Sequence, residues 1–305
     1  MRNPVYLNLL EIGELKRRVE ILHNMLSNCV LCPHQCQVNR LIREKGYCKT
    51  TDKIVLSGAE AHFGEEEELV GMYGSGTIFF SHCNLGCVFG QNYEISHCGI
   101  GEVIDSHELA KIMLRLQRKK CHNINLVSPG HIVPQIVEAI YIAAQNGLNI
   151  PIIYNTNGYD LKDTLKLLEG IIDIYLPDIK FADDSHAQKY MKVKDYPKIA
   201  KAAVEEMYRQ VGNLKTDDRG TAFKGLLIRH LVMPQNLAGT VEIMQFIAER
   251  ISKEAYVNIM AQYSPEHQAY QFNELSRRIT EEEYQYAVNT AKDAGLLNVK
   301  FSTRM

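Results

Sequence analysis

Short apolar runs alternate with amphipathic stretches along most of this chain. From about residue 76 onward, each run is rich in Ile, Val, Tyr or Phe, and most runs lack strict alternation of apolar and polar residues. Strands that are buried on both faces of a parallel sheet have this pattern. The pattern predicts six strands, at residues 77–81, 123–128, 150–155, 171–176, 225–232 and 256–261.

The stretches between these runs have helical periodicity. Leu109, Met113 and Leu116 fall on one face of a helix, and residues 240–251 form another amphipathic segment. Parallel strands that alternate with helices are joined by right-handed crossovers. The predicted fold is therefore α/β, a partial TIM barrel with six strand–helix units, (β/α)6.

The first part of the chain has a different pattern. Leucine and valine residues at helical spacing predict a helix at residues 13–26, which leads into a group of cysteines. Residues 1–60 are predicted as a small helical, cysteine-rich appendage, and residues 61–305 as the barrel domain. We expect so short a unit to need a metal in order to fold well.

Composition and charge exclude several classes of function. The 305 residues are 46% hydrophobic and 23% charged, as in ordinary globular proteins. The net charge of −2 gives no reason to expect nucleic acid or an anionic membrane as a partner. No apolar run reaches the ~18 residues that a membrane span needs. The N-terminus lacks the basic and apolar regions of a secretory signal, so a cytoplasmic location is expected.

Eight cysteines in a reducing compartment favour metal binding over disulfides. Four of them lie close together in the sequence: Cys29, Cys32, Cys36 and Cys48. Two short loops with this spacing can bring four thiolates around one centre. Tetrahedral zinc and an accessory iron–sulfur cluster are both compatible with it, and we predict a metal site here.

Two more cysteines and several polar residues follow the predicted barrel strands. Cys83 and Cys87 come after the first strand, and the loops after the next three strands supply further candidates. In a parallel barrel these positions gather at one mouth. The polar candidates are Ser128, His131, Asn155, Thr156, Asp178 and Lys180. Turn chemistry, capping or an ordinary ion pair is the alternative for each of them taken alone.

Two further polar features are informative. Arg229 and His230 are adjacent on a predicted strand, so their side chains must point to opposite faces. Residues 65–68 are four consecutive glutamates, which we predict to be a solvated loop or the start of a helix.

Several stretches together resemble one known family. They are CVLCPHQCQVNR at residues 29–40, GSGTIFFSHCNLGCVFGQNYEIS at 74–96, residues 122–134, YNTNGY at 154–159, DIYLPDIK at 173–180, GLLIRHLVMP at 225–234 and NIMAQYSP at 258–265. The chain resembles radical S-adenosylmethionine (SAM) proteins related to the pyruvate formate-lyase activating enzyme, in the branch with an extra N-terminal cysteine motif. Gly90 stands where the third cysteine of the C-x3-C-x2-C motif is found in that family.

The resemblance implies a partial TIM barrel that binds a [4Fe–4S] cluster and SAM, and that generates a 5′-deoxyadenosyl radical for hydrogen abstraction. It implies that Cys83 and Cys87 are cluster ligands and that the six polar candidates lie around the SAM site, where Lys180 neutralises the methionyl carboxylate. Activating enzymes of this type act on a glycine of a partner protein. A protein substrate is therefore a candidate partner, although the branch with the extra motif does not itself imply a substrate.

Gly90 leaves a second hypothesis open, because glycine has no side chain that can ligate iron. The chain is then a catalytically degenerate metal-binding protein that acts through a partner. In other interpretations Cys98, an exogenous thiolate or a partner subunit completes the cluster.

Overall fold

The structure, a computed structural model, describes residues 3–301. Its strands are β1 (Ile54–His62), β2 (Ser75–Phe80), β3 (Glu102–Ile104), β4 (Ile124–Val127), β5 (Ile152–Thr156), β6 (Ile174–Pro177), β7 (Lys215–Thr216), β8 (Ala222–Leu231), β9 (Tyr256–Met260) and β10 (Asn298–Phe301). Its α-helices are α1 (Tyr6–Glu11), α2 (Glu14–Asn24), α3 (Glu67–Val70), α4 (Tyr93–Ser96), α5 (Ser106–Arg118), α6 (Val133–Gln145), α7 (Lys162–Leu167), α8 (Asp184–Met191), α9 (Tyr196–Val211), α10 (Thr240–Phe246) and α11 (Glu281–Asp293).

One mixed sheet organises the molecule. Its strand order is β10-β9-β8-β6-β5-β4-β2-β1-β3, and β7 pairs with β8. The strands from β2 to β10 along this order are parallel, whereas β1 and β3 are antiparallel at one edge. The central strands β4, β5 and β6 are almost wholly buried, because helices cover the sheet. The fold is the α/β partial TIM barrel that the sequence predicts.

All six predicted strands are present, as β2, β4, β5, β6, β8 and β9. The prediction lacks β1, β3, β7 and β10, which lie at or near the edges of the sheet. These strands are half-exposed or exposed, so they have no continuous apolar run to reveal them. The predicted helices at residues 13–26 and 240–251 are confirmed by α2 and by α10, which continues as the π-helical turn Ile247–Ile251.

The N-terminal helices pack directly on the barrel. Helices α1 and α2 contact α6, and the Val5 N–H donates to Asp173 Oδ1 at 2.9 Å. The Tyr6 hydroxyl donates to the Ile150 carbonyl at 3.0 Å. The predicted boundary at residue 60 falls inside β1, which pairs with β2 of the barrel. The division into two units stays a prediction.

Among residues 3–301, no helix has both the length and the apolar character that a bilayer crossing requires.

Candidate metal and cofactor site

A cavity of about 380 Å³ lies at the carboxyl ends of the parallel strands. It is bounded by the Cys83 loop (residues 81–92) and by residues at the ends of β4, β5, β6, β8 and β9. The predicted site residues that line it are Cys83, Cys87, Ser128, Asn155, Thr156, Asp178 and Lys180. The fold thus gathers side chains that are far apart in sequence.

The two thiols of the cavity differ in their surroundings. Cys83 Sγ accepts hydrogen bonds from the Leu85 N–H at 3.4 Å and from Asn157 Nδ2 at 3.3 Å. Burial raises the pKa of Cys87 to about 12, against the attraction of the Lys180 ammonium. A thiol with so high a pKa keeps its proton until a metal displaces it.

Gly90 lines the same cavity and leaves room beside the thiols. A Cβ placed on Gly90 meets only the Cys87 carbonyl oxygen, at 3.8 Å, which is ordinary contact. The backbone therefore accommodates a third cysteine that the sequence does not supply. Cys98 is exposed and is not one of the described residues around the cavity. His97 does line it, and its Nε2–H donates to the Cys87 carbonyl at 3.0 Å.

An ion network spans the floor of the cavity. Asp178 accepts from Lys180 Nζ at 2.6 Å and from Arg229 Nε at 2.8 Å, and these side chains are only 15%, 17% and 16% exposed. Burial alone would raise the pKa of Asp178, but the two cations outweigh it and hold the pKa below its usual value. Arg229 also donates to Asn155 Oδ1 at 2.6 Å. Asp178 and Lys180 are thus a largely buried pair rather than a surface one.

The opposite orientation predicted for Arg229 and His230 is confirmed. Arg229 lines the cavity, whereas His230 is fully buried on the other face. There the His230 ring bonds to the Ile179 carbonyl at 3.1 Å and to Thr240 Oγ1 at 3.0 Å. Burial lowers the pKa of His230 to about 4, so the ring is neutral at pH 7.

Glu65 is a cavity residue that the sequence did not reveal. Its side chain is 10% exposed and lies 3.4 Å from Arg229. Burial raises the pKa of Glu65, opposed by Arg229. Its neighbour Glu66 accepts from Asn258 at 2.8 Å, and Glu68 accepts from the Tyr256 hydroxyl at 2.6 Å. The predicted start of a helix is confirmed, because α3 begins at Glu67. A solvated run was wrong for Glu65, Glu66 and Glu68, whose partners on β8 and β9 no local pattern at residues 65–68 discloses.

The two predicted site residues in the loop after β4 lie in different places. Ser128 lines the cavity with a left-handed backbone (φ 57°), a conformation that is uncommon outside glycine and often occurs at functional sites. His131 is fully buried elsewhere, with its Nε2 at 3.0 Å from the Ser81 carbonyl, and it is not among the described residues around the cavity. Burial, together with the nearby Arg40 guanidinium, lowers the pKa of His131 to about 3.

Thr156 lines the cavity, but its hydroxyl is engaged. It donates to Asp160 Oδ2 at 2.5 Å, and the Tyr154 hydroxyl donates to Asp160 Oδ1 at 2.9 Å. Burial raises the pKa of Asp160 to about 6, although both donors favour its ionised form. This network fixes the end of β5 beside the cavity.

The four N-terminal cysteines lie in the cysteine loop (residues 28–50), which contacts the Cys83 loop. Burial and the three neighbouring cysteines raise the pKa of Cys32 to about 12. As the side chains lie, no group of three or more His, Cys, Asp or Glu in the described part of the chain has the arrangement of a metal site.

A model of the radical SAM superfamily matches residues 77–247. This chain belongs to the radical SAM superfamily. It is 35% identical over 297 residues to the uncharacterized protein MJ0674 of Methanocaldococcus jannaschii, a match that covers 95% of this chain and 80% of that protein.

Solved structures of low sequence identity also align with this radical SAM protein. Streptococcus suis SuiB bound to S-adenosylmethionine aligns with 14% identity and a TM-score of 0.49, over 73% of this chain and 48% of SuiB. The [FeFe]-hydrogenase maturase HydG aligns with 12% identity and a TM-score of 0.49, over 73% of this chain and 50% of HydG. This chain thus spans about half the length of each.

The family implies a [4Fe–4S] cluster and SAM, and the donors in the cavity suit both. Thiolates are the usual ligands of iron–sulfur clusters, and Cys83 and Cys87 line the cavity together. The room left at Gly90 lies in the same loop. Carboxylate, ammonium and guanidinium groups complete the lining, so the cavity offers charges of both signs.

Proposed function

We propose that this chain is a radical SAM enzyme of the activating-enzyme type, with Cys83 and Cys87 as ligands of its cluster. The observation that carries the proposal is the meeting of these two thiols with the Asp178, Lys180 and Arg229 network in one cavity. When bound, the cluster supplies the electron that cleaves SAM to methionine and the 5′-deoxyadenosyl radical.

The cavity residues would bind and orient SAM by charge. The methionyl end of SAM carries an ammonium, a carboxylate and a sulfonium, so a site that binds it must offer both signs of charge. Lys180 and Arg229 offer donors for a carboxylate, and Asp178 and Glu65 offer acceptors for an ammonium. All four charged groups are mostly withdrawn from water, which strengthens each interaction.

A segment of a partner protein is the proposed substrate. The rim of the cavity includes Gln91 and Asn92, which are exposed and belong to the Cys83 loop. Gln91 Nε2 donates to the Gln262 carbonyl at 3.2 Å and so bridges the loop to the end of β9. A polar, exposed rim suits an extended backbone segment, whose own amide groups need partners.

The N-terminal cysteines are proposed as a second metal site, in accord with their spacing. The support for that site does not depend on SAM.

Release of 5′-deoxyadenosine after anaerobic reconstitution tests the proposal. We expect release by the wild type, more release by Gly90→Cys because a third thiolate holds iron more firmly, and none by Cys83→Ser/Cys87→Ser. Failure of both the wild type and Gly90→Cys to bind or cleave SAM would refute the proposal.

A second candidate function is favoured by Gly90 itself. Two thiolates leave an iron cluster weakly held, and a degenerate metal-binding protein that acts through a partner has no need of the third. Release of 5′-deoxyadenosine by Gly90→Cys alone would favour this candidate. Iron retained by Cys83 and Cys87 in the wild type, together with SAM cleavage, would exclude it.

A further inference from the structure

The cysteine loop has little regular structure of its own. Within the described chain it contains one short helical turn, Arg40–Ile42. Its residues Cys29, Cys32 and Cys48 are only 7%, 7% and 8% exposed, and none of its cysteines forms a disulfide. An irregular segment that buries sulfur instead of a large apolar core is typical of a metal-stapled unit.

Each of the four sulfurs has a polar neighbour. The Tyr47 N–H donates to Cys36 Sγ at 3.4 Å, and the His34 N–H donates to Cys32. Thr50 Oγ1 lies 3.0 Å from Cys48 Sγ, and Arg40 Nη1 lies 4.0 Å from Cys29 Sγ. Neutral thiols are weak acceptors, whereas donors around metal-bound thiolates orient the ligands and tune the metal.

Arg40 is the most informative of these neighbours, because it is a buried cation without a described carboxylate partner. It is 1% exposed, and its guanidinium donates to the carbonyls of Thr51, at 2.9 and 2.6 Å, and His131, at 2.7 Å. Burying an unpaired charge is costly. Four thiolates around a divalent ion carry a net negative charge, which would neutralise Arg40 at Cys29.

The backbone also passes unusually close to one sulfur. A Cβ added to Gly46 would lie 2.7 Å from Cys36 Sγ, nearer than any side chain tolerates. Glycine at this position therefore lets the segment that carries Cys48 close over Cys36.

The cysteine loop rests on the Cys83 loop through two side chains. His34 Nε2–H donates to the Asn84 carbonyl at 2.8 Å, and His34 stacks on Tyr47 with ring centroids 3.8 Å apart. The Tyr47 hydroxyl lies where a Cβ on Gly86 would meet it at 2.8 Å. Asn84 and Gly86 both lie between the cavity cysteines, so the two loops are in direct contact.

We propose that Cys29, Cys32, Cys36 and Cys48 form a closed tetrathiolate metal centre, and that His34 and Tyr47 transmit its order to the Cys83 loop. The thiols must rotate to meet one centre, since their present arrangement is not that of a metal site. Each cysteine has three staggered χ1 rotamers through which its thiol can turn toward that centre. Arg40 links the same centre to His131, because its guanidinium donates to the His131 carbonyl. The His131 ring in turn bonds to the carbonyl of Ser81, two residues before Cys83.

Metal counting in the Cys83→Ser/Cys87→Ser protein tests the centre independently of SAM. We expect about one zinc ion or one iron–sulfur cluster per chain, with only sulfur ligands in the X-ray absorption spectrum. Adding Cys32→Ser should remove the metal, whereas adding Cys121→Ser, at a buried cysteine outside both loops, should retain it. Folded protein without stoichiometric metal would overturn the proposal, as would oxygen or nitrogen ligation.

Hydrogen exchange tests the coupling of the two loops. In metal-loaded His34→Ala, we expect residues 81–92 to exchange about fivefold faster, the effect of losing one ordinary hydrogen bond. The matched control is His107→Ala, at an exposed histidine of α5, which should leave this exchange unchanged. Equal exchange in wild type and His34→Ala would overturn the coupling. Neither measurement uses SAM, so a failure here is distinct from failure of the proposed function.

Discussion

The two groups of cysteines lie in contacting loops but in opposite physical settings. In the cysteine loop, four sulfurs are packed among donors, and Cys29, Cys32 and Cys48 are less than one-tenth exposed (7%, 7% and 8%). In the Cys83 loop, two sulfurs line a cavity of about 380 Å³ with charges of both signs. A closed set of four ligands suits a structural centre, whereas an open set leaves coordination positions for a reacting molecule.

The comparison teaches that cysteine spacing alone does not separate structure from reactivity. The cysteines of both groups are closely spaced in the sequence, yet Cys83 and Cys87 line a cavity together with the charged groups of Asp178, Lys180 and Arg229. Such a concentration of mutually perturbed charges in a cleft is typical of a functional site.

The largest expected effect is a difference in the free energy of unfolding between variants of the two groups of cysteines. Cys32→Ser should lower the free energy of unfolding by several kcal/mol, a part of the roughly 10 kcal/mol that structural zinc contributes in small peptides. Cys83→Ser/Cys87→Ser should change it by less, because the strands that frame the cavity are paired and buried without help from the two thiols. Chemical denaturation of metal-loaded protein measures both values.

Cys121→Ser gives the baseline for this comparison, since Cys121 is buried but belongs to neither group. If Cys32→Ser unfolds no more easily than Cys121→Ser, the structural role of the cysteine loop is wrong.

Asp173 offers a pH test of how the N-terminal helices attach to the barrel. Burial raises the pKa of Asp173 to about 7, although the N–H groups of Val5 and Ile152 favour its ionised form. The pKa of Asp173 in the folded protein therefore exceeds its value of about 3.9 in the unfolded chain. The contribution of Asp173 to the free energy of unfolding is fully present below about pH 3.9 and is lost as the pH rises through about 7. Between the two pKa values this amounts to at most about 4 kcal/mol.

In Asp173→Asn, the free energy of unfolding should therefore decrease less between about pH 4 and pH 7 than it does in the wild type. This holds whether the substitution itself stabilises or destabilises the protein. Tyr6 and Lys224 are the charged or titratable neighbours of Asp173, and burial raises the pKa of Tyr6 above its usual value. Denaturation midpoints across the pH range provide the measurement, with Asp293→Asn on the exposed face of α11 as control. Parallel pH profiles for Asp173→Asn and wild type would contradict this role.

The smallest of these effects concerns SAM affinity. Lys180→Ala should weaken SAM binding by about tenfold to a hundredfold, the range for losing one charge-assisted hydrogen bond. Asp178 keeps its contact with Arg229 in this variant, so the cavity retains a paired carboxylate. Equilibrium dialysis against SAM measures the change, and Lys198→Ala, at an exposed lysine of α9, is the control. Equal affinities would remove Lys180 from the site.

The barrel was predictable because its central strands are apolar on both faces. For the same reason, polar residues at the ends of those strands stand out in the sequence, and Cys83, Asn155 and Asp178 could be predicted as residues of the cavity. His131 and Glu65 were not predictable in this way. Whether a side chain next to a strand end turns inward depends on partners such as the Ser81 carbonyl and Arg229, which lie far away in sequence.

The electron paramagnetic resonance spectrum of the reduced, anaerobically reconstituted protein, recorded with and without SAM, is the most direct test. We predict an iron–sulfur signal that changes when SAM is added, and we predict that this SAM-dependent component disappears in Cys83→Ser/Cys87→Ser. A signal that SAM leaves unchanged, or one that survives the loss of both cavity cysteines and still responds to SAM, would contradict a SAM-binding cluster at this mouth of the barrel.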